Sequence, residues 1–150
     1  MPSPRLLVLL LSLAGAGCAP IPHAATTMPA ISGSLTSAGA PVVGREVWAA
    51  QGTDDLPCGQ PWVKATTDQN GRFTLPRQTE WRLIYAPSFT SSKLIKLCVS
   101  TAGQARLIFR VGFIPTTPQA IELACDLETP ASRQTHGGLC RMDGMTGSGA

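Results

Sequence analysis

Residues 31–49, ISGSLTSAGAPVVGREVWA, contain two short segments of alternating polarity with a turn between them. Ile31 and Leu35 share one face of the first segment when it is extended, because successive side chains of a strand point to opposite sides. The SAGAP sequence at 37–41 supplies the Gly and Pro that turns prefer. Val47 then points inward from the second segment. This stretch predicts strands with one buried face, joined by a turn.

The same pattern continues as far as residue 128, and no window predicts an amphipathic helix. Short apolar runs are separated by Gly, Pro, Asn and Ser, which is typical of strands and turns. We predict about eight strands, at 31–36, 45–50, 62–67, 72–75, 82–86, 93–100, 105–114 and 120–128. Strands of this length and spacing predict an all-β fold, a single β-sandwich of about seven to eight strands.

Two segments, 105–111 and 121–127, alternate between apolar and charged residues most regularly. Such alternation indicates strands that are buried on one side only. The side chains expected to face the core are Leu107, Phe109, Val111, Ile121, Leu123, Cys125 and Leu127. The side chains expected on the opposite faces are Arg106, Arg110, Glu122, Asp126 and Glu128.

Residues 65–76, ATTDQNGRFTLP, carry the sharpest turn signal of the chain. Asp68 can accept hydrogen bonds from the backbone ahead of it, and Gly71 can adopt a positive φ. We therefore predict a hairpin in which segments 62–67 and 72–75 pair across this turn.

Residues 1–17 have the features of an export signal. Arg5 supplies positive charge, residues 6–13 form an apolar run too short to span a bilayer, and residues 14–17 are small enough for a peptidase site. The segment that ends at Cys18 resembles the lipobox of bacterial lipoproteins. This resemblance implies that Cys18 receives a diacylglyceryl group, becomes the new N-terminus and holds the protein at a membrane.

A second interpretation of the N-terminus stays open. Gly15 stands where the lipobox prefers Leu, and a secretory signal cut near Ala24 or Ala25 would leave a soluble secreted or periplasmic protein. If the lipid is attached, Ala19 favours the outer membrane facing the periplasm, since it replaces the Asp that commonly retains lipoproteins at the inner membrane. Both interpretations place the protein outside the cytoplasm.

Length and composition indicate one globular domain. Removing 17 residues from 150 leaves 133, an ordinary size for a single domain. Lys and Arg number 12 against 9 Asp and Glu, and a scattered net charge of +3 excludes the dense basic face that nucleic acid requires. We expect a tether at 18–29, the sandwich at 30–128 and a tail at 129–150, which is disordered from residue 143.

The chain has five cysteines, and four remain if Cys18 carries lipid. These four are Cys58, Cys98, Cys125 and Cys140. An even number of cysteines in an oxidising compartment predicts two disulfides. Four cysteines allow three pairings, and the residues alone do not choose among them.

The two turn-bearing stretches, 31–49 and 65–76, resemble the carboxypeptidase regulatory-like domain, a transthyretin-like β-sandwich. The matching residues are Gly33, Gly39, Pro41, Gly44, Val47, Thr67, Asp68, Gly71 and Phe73. They cover about residues 30–76. The resemblance implies that Pro41 and Gly44 shape a first hairpin and that Phe73 anchors the core. It brings no catalytic residue, because in carboxypeptidases this domain accompanies the catalytic one.

Residues 121–140, IELACDLETPASRQTHGGLC, resemble the C-terminal end of a bacterial lipoprotein family that carries this domain. In that family a strand that ends in Cys, Asp and Leu is followed by a short tail with a second Cys. The resemblance implies a disulfide between Cys125 and Cys140, which leaves Cys58 to pair with Cys98. The tail would thereby be pinned to the last strand.

Few residues suit catalysis or metal binding. His23 lies in the predicted tether, and His136 precedes Cys140 by four residues, whereas zinc needs four converging ligands. DQNG lacks the further acidic ligands of a calcium loop. We therefore expect no enzyme, no metal and no cofactor, and a small hydrolase would need a cleft that holds His136 and an acid. The acids show no spacing that pairs two carboxylates: Glu46, Asp54, Asp55, Glu80 and Glu128.

These observations predict a non-catalytic binding or structural module of the bacterial cell envelope, with an envelope protein or a cell-surface glycan as its partner. The alternative is a carbohydrate-binding module in which Trp48, Trp62 and Trp81, with Tyr85 nearby, stack on sugar rings. Against this, Trp48 and Trp62 can simply pack in the core or at its edge, as aromatic residues in strands usually do. The two interpretations differ in whether the three tryptophans line one exposed strip.

Overall fold

A computed structural model describes residues 22–51, 58–82, 93–113, 117–128 and 138–148. Within these ranges the protein is all-β, and no helix occurs there. The strands are β1 (His23–Met28), β2 (Ala30–Ser37), β3 (Ala40–Pro41), β4 (Glu46–Gln51), β5 (Val63–Thr66), β6 (Arg72–Leu75), β7 (Gln78–Arg82), β8 (Lys93–Thr101), β9 (Gln104–Phe113), β10 (Pro118–Asp126) and β11 (Cys140–Ser148).

Most of the strands belong to two sheets. Sheet 1 has the order β11-β10-β2, and both β3 and β6 pair with β2; sheet 2 has the order β5-β4-β8-β9. The remaining pair, β1 and β7, forms a two-stranded ribbon. Strands β2 and β10 run parallel, with Ala120 opposite Ala30 and Asp126 opposite Thr36. A parallel pair needs a crossover connection, and here the chain passes through sheet 2 between β2 and β10.

One hydrophobic core lies between the inner faces of the two sheets, which confirms the predicted all-β sandwich. Sheet 1 contributes Ile31, Leu35, Phe73, Leu75, Ile121 and Leu123; sheet 2 contributes Val47, Ile95, Leu97, Val99, Ile108 and Phe109. Burying one such large apolar side chain stabilises a protein by roughly 1.5–3 kcal/mol. In β10 the buried and exposed residues alternate as the sequence predicts.

The turn at DQNG forms, but it does not close a hairpin. One Asp68 carboxylate oxygen accepts hydrogen bonds from the backbone N–H groups of Asn70 and Arg72, each at 2.8 Å. Gly71 has a φ of 73°. Strand β5 pairs with β4 in sheet 2, whereas β6 pairs with β2 in sheet 1, so the hairpin prediction is wrong. The turn carries the chain from one sheet to the other.

The stretch 31–49 needs the same correction. Strand β2 turns back through Ala38 and Gly39 into the very short β3, and β4 then enters the opposite sheet. Both turn residues have positive φ, 50° and 80°, as a two-residue type I′ turn requires. A β2–β4 hairpin is therefore absent, because Val47 of β4 packs in the core from the facing sheet.

Strand β9 departs from the predicted alternation at a β-bulge. Leu97 lies opposite Phe109 and Cys98 lies opposite Leu107, so Ile108 is the extra residue. A bulge reverses the facing of the residues beyond it. Ile108 is consequently buried in the core, while Leu107 packs against the outer face of sheet 2. The expectation that Leu107 shares a face with Phe109 is wrong.

Residues 23–28 form a strand, although the sequence predicts a solvated tether there. Strand β1 pairs with β7 from His23↔Arg82 to Met28↔Gln78, and Met28 is fully buried in the core. Backbone pairing with β7 and the burial of Met28 stabilise β1. The composition of residues 18–29 shows neither the pairing partner nor this burial.

The C-terminal tail likewise contains a strand that the sequence analysis missed. Residues 140–148 form β11, which pairs antiparallel with β10 from Cys140↔Cys125 to Ser148↔Pro118. The expectation of disorder from residue 143 is therefore wrong as far as residue 148. Backbone pairing with a buried neighbour offsets the high flexibility that glycine gives this segment.

The residues before β11 link the two sheets. The Leu139 N–H donates to the carbonyl of Ile108 in sheet 2 at 2.8 Å, and the Leu139 carbonyl accepts from the Asp126 N–H in sheet 1 at 2.9 Å. The C-terminal segment therefore closes one side of the sandwich.

Candidate functional site

Several predicted site residues lie outside the described residues. They are Cys18, Asp54, Asp55, Tyr85 and His136. Of the predicted strand at 82–86, only Arg82 is described, as the last residue of β7. The candidate site is therefore built from the remaining cysteines, the tryptophans and the charged residues of the strands.

The structure contains two disulfides, Cys58–Cys98 and Cys125–Cys140. These are the pairs that the C-terminal resemblance implies. Cys125 and Cys140 lie opposite each other on β10 and β11, and both are buried in the main core. Cys98 is fully buried on the outer face of sheet 2, whereas Cys58 is only half-buried. The two disulfides thus differ in their access to solvent.

Trp48 is buried on the outer face of sheet 2. It lies directly opposite Cys98 across β4 and β8, and it packs with Ala50, Cys58 and Leu107. Only 7% of Trp48 is exposed, and its indole Nε1 has no hydrogen-bond partner among the residues that the structure describes. A buried N–H without a partner costs about 1–3 kcal/mol. The side chain packs against the disulfide and presents no face to a sugar.

Trp62 and Trp81 lie in different environments from Trp48. Trp62 is half-buried and packs against the main core, and its backbone N–H donates to the carbonyl of Ala49 at 2.8 Å. Trp81 is 77% exposed and lies opposite Ala24 in the β1–β7 ribbon. The three tryptophans do not line one exposed strip, so the condition that the sequence analysis set for a glycan platform is not met.

The described acids make local contacts. Glu46 and Lys64 form an exposed ion pair at 2.9 Å, and Glu128 accepts a hydrogen bond from the Ser37 hydroxyl at 2.7 Å. Asp143 accepts a hydrogen bond from Arg141 Nε and raises the pKa of that guanidinium. In the described ranges, no three His, Cys, Asp or Glu residues come together as metal ligands would.

The described surface exposes a few large apolar side chains. The large hydrophobic residues exposed there are Val43, Trp81 and Met145. Trp81 is the most exposed of them, and its indole combines a large apolar surface with one N–H donor. We take Trp81 and the ribbon that carries it as the candidate functional site. The sequence indicated Trp81 as one of three candidate tryptophans, with core or edge packing as the alternative for Trp48 and Trp62, but it did not show that Trp81 is the exposed one.

The comparisons with known proteins leave this chain without an assigned family. No family model, no curated protein and no solved structure matches it. Among the residues that the structure describes, no helix has the length and hydrophobicity needed to cross a bilayer.

Proposed function

We propose that the protein is a non-catalytic binding or structural module of a bacterial cell envelope, held at the membrane by a lipid on Cys18. Its partner is an envelope protein or a cell-surface glycan. The Ala at position 19 directs the lipoprotein to the outer membrane, where it faces the periplasm.

The observation that carries this proposal is the use of the cysteines. The chain has five, and the two disulfides occupy the four that follow the apolar N-terminal segment. Stable disulfides belong to oxidising compartments outside the cytoplasm. The fifth, Cys18, stands at the end of LAGAGC, where a lipoprotein peptidase would expose it.

We also propose that the domain is a carboxypeptidase regulatory-like sandwich. The two-sheet architecture supports this, as do the roles of individual residues. Phe73 lies in the core, and Asp68 and Gly71 build the turn between β5 and β6. Such a domain would supply a stable scaffold without catalytic residues.

The test is detergent phase partitioning of the full-length protein expressed in a Gram-negative host. Wild-type protein should enter the detergent phase, because two acyl chains hold a protein at a membrane durably, at about 0.8 kcal/mol per buried CH₂ group. Cys18→Ser should enter the aqueous phase or keep its signal segment.

Gly15→Leu is the matched control, since it introduces the residue that the lipobox prefers while keeping Cys18. It should partition as the wild type does, with equal or faster processing. A wild-type protein in the aqueous phase, cleaved near Ala24, would contradict the proposed anchor and support a soluble exported protein.

A further inference from the structure

The β1–β7 ribbon is a separate two-stranded sheet, in which β1 directly precedes β2 along the chain and β7 directly follows β6. In the β2–β6 ladder Ile31 lies opposite Leu75, and Met28 lies opposite Gln78 in the same register. A β-bulge between Thr26 and Met28 then shifts the pairing of the rest of the ribbon by one residue. Met28 at the base of the ribbon is buried in the core. The ribbon is therefore fixed to the sandwich at one end, and its pairing runs on to His23 and Arg82 at the other.

Trp81 lies near the outer end of this ribbon. It is 77% exposed, and its cross-strand neighbour Ala24 is small and itself exposed. Glu80, the next residue, falls on the opposite face because side chains alternate along a strand. A large indole with this much exposed surface is unfavourable in water and suits a surface that is partly apolar and partly wet.

The chain length between Cys18 and the ribbon limits how far Trp81 lies from a lipid anchor. Ala24 lies six positions after Cys18, so even a fully extended connection spans at most about 20 Å. The glyceryl group on Cys18 would sit at the level of the lipid headgroups. Tryptophan is enriched at that level of a membrane. Its ring is largely apolar with one polar N–H group, and the headgroup region likewise borders both hydrocarbon and water.

We propose that the ribbon docks on the membrane surface, with the Trp81 indole inserted among the lipid headgroups. This inference rests on the proposed lipid anchor at Cys18. The anchor supplies the attachment, and Trp81 sets the orientation by holding the ribbon end of the sandwich against the bilayer. The docked surface is a lipid surface rather than a second protein.

The experiment uses full-length lipidated protein, reconstituted into vesicles of phosphatidylethanolamine and phosphatidylglycerol. A parallel set of vesicles contains lipids brominated close to the headgroup, which quench nearby indoles. Wild-type emission should be quenched by bromination, and Trp81→Phe should reduce the quenching several-fold. Trp62→Phe is the matched control. This variant should be quenched as strongly as the wild type, because Trp62 packs against the sandwich core.

Flotation of the vesicles separates the two proposals. Protein that floats with the vesicles but shows no quenching overturns the docking of Trp81 and leaves the anchor intact. Quenching that persists in Trp81→Phe also overturns it. A Trp81 emission shift that depends on protein density and not on bromination assigns the surface to a second copy of the chain. Protein that does not float overturns both the anchor and the docking.

Discussion

Gly71 takes part both in the local turn at DQNG and in a contact with Leu35 of β2, far away in the sequence. Its φ is 73°, and a Cβ placed there would lie 2.5 Å from the carbonyl oxygen of Leu35 and 3.2 Å from the backbone N of Val42. Both neighbours are backbone atoms, so neither moves away cheaply. The Gly71 carbonyl in turn accepts a hydrogen bond from the Leu35 N–H at 2.8 Å. Glycine is required here by shape as well as by conformation.

Gly71→Ala should therefore destabilise the fold more than an ordinary glycine substitution in a turn. We expect a loss of about 3–4 kcal/mol, the sum of the left-handed backbone cost and steric strain. Gly103→Ala is the control, since Gly103 has a φ of 78° but nothing within 4 Å of its added Cβ. That variant should lose only about 1–2 kcal/mol. Urea unfolding of the oxidised proteins measures both, and equal losses would refute the close contact.

The sequence predicted the chemistry of this turn because that chemistry is local. Asp68 and Gly71 are the residue types that such a turn needs wherever it occurs. The contact of Gly71 with Leu35 joins residues far apart in sequence, and no local pattern encodes it. For the same reason the sequence did not show which tryptophan is exposed, whereas pairing with different strands buries Trp48 and exposes Trp81.

At the scale of elements, two hairpins close with the same Ala-Gly pair. Ala38–Gly39 joins β2 to β3, and Ala102–Gly103 joins β8 to β9. Each alanine has a φ close to 50°, a left-handed conformation that costs a residue with a Cβ roughly 1–2 kcal/mol. Asn tolerates this conformation much better than Ala does.

Ala102→Asn should consequently stabilise the protein by about 0.5–1 kcal/mol, because Asn relieves the strain at the first turn position. Ala105→Asn is a matched control, since Ala105 is exposed in the adjoining strand and outside the turn. It should give no gain, because Asn is depleted in strands. The urea midpoints of the two variants report the difference. A destabilising Ala102→Asn would show that the turn does not have this geometry in solution.

The direction in which side chains face was predicted correctly where the alternation along a strand is uninterrupted. Strand β10 has one face in the core along its length, so the positions of Ile121 and Leu123 followed from polarity alone. In β9 the bulge at Ile108 reverses which side chains face the core, and no Gly or Pro in the sequence marks its position. Strand β1 was missed because its pairing with β7 depends on a partner far away in the sequence.

At the scale of the whole molecule, the two disulfides should respond differently to a reductant. Thiol–disulfide exchange needs access of the attacking thiolate to a sulfur atom. Cys58 is half-buried, whereas Cys125 and Cys140 are 2% and 1% exposed. The Cys58–Cys98 bond therefore opens in the folded protein, while the Cys125–Cys140 bond opens only when the sandwich does.

Treatment with a dithiol reductant without denaturant should reduce Cys58–Cys98 at least about tenfold faster, since access limits the exchange. Alkylation at timed intervals followed by peptide mapping gives the two rates. Urea below the unfolding midpoint is the control, and it should accelerate mainly the reduction of Cys125–Cys140. Equal rates, or faster loss of Cys125–Cys140, would contradict the burial that the structure gives these residues.

The proposed function in the cell envelope depends on a single covalent event at Cys18, and intact-mass analysis of the membrane-extracted protein tests it most directly. We expect one mature chain that begins at Cys18, carries a diacylglyceryl thioether and has Cys58, Cys98, Cys125 and Cys140 closed in two disulfides. A chain that begins near Ala24, an unmodified Cys18, or free thiols among the other four would contradict it.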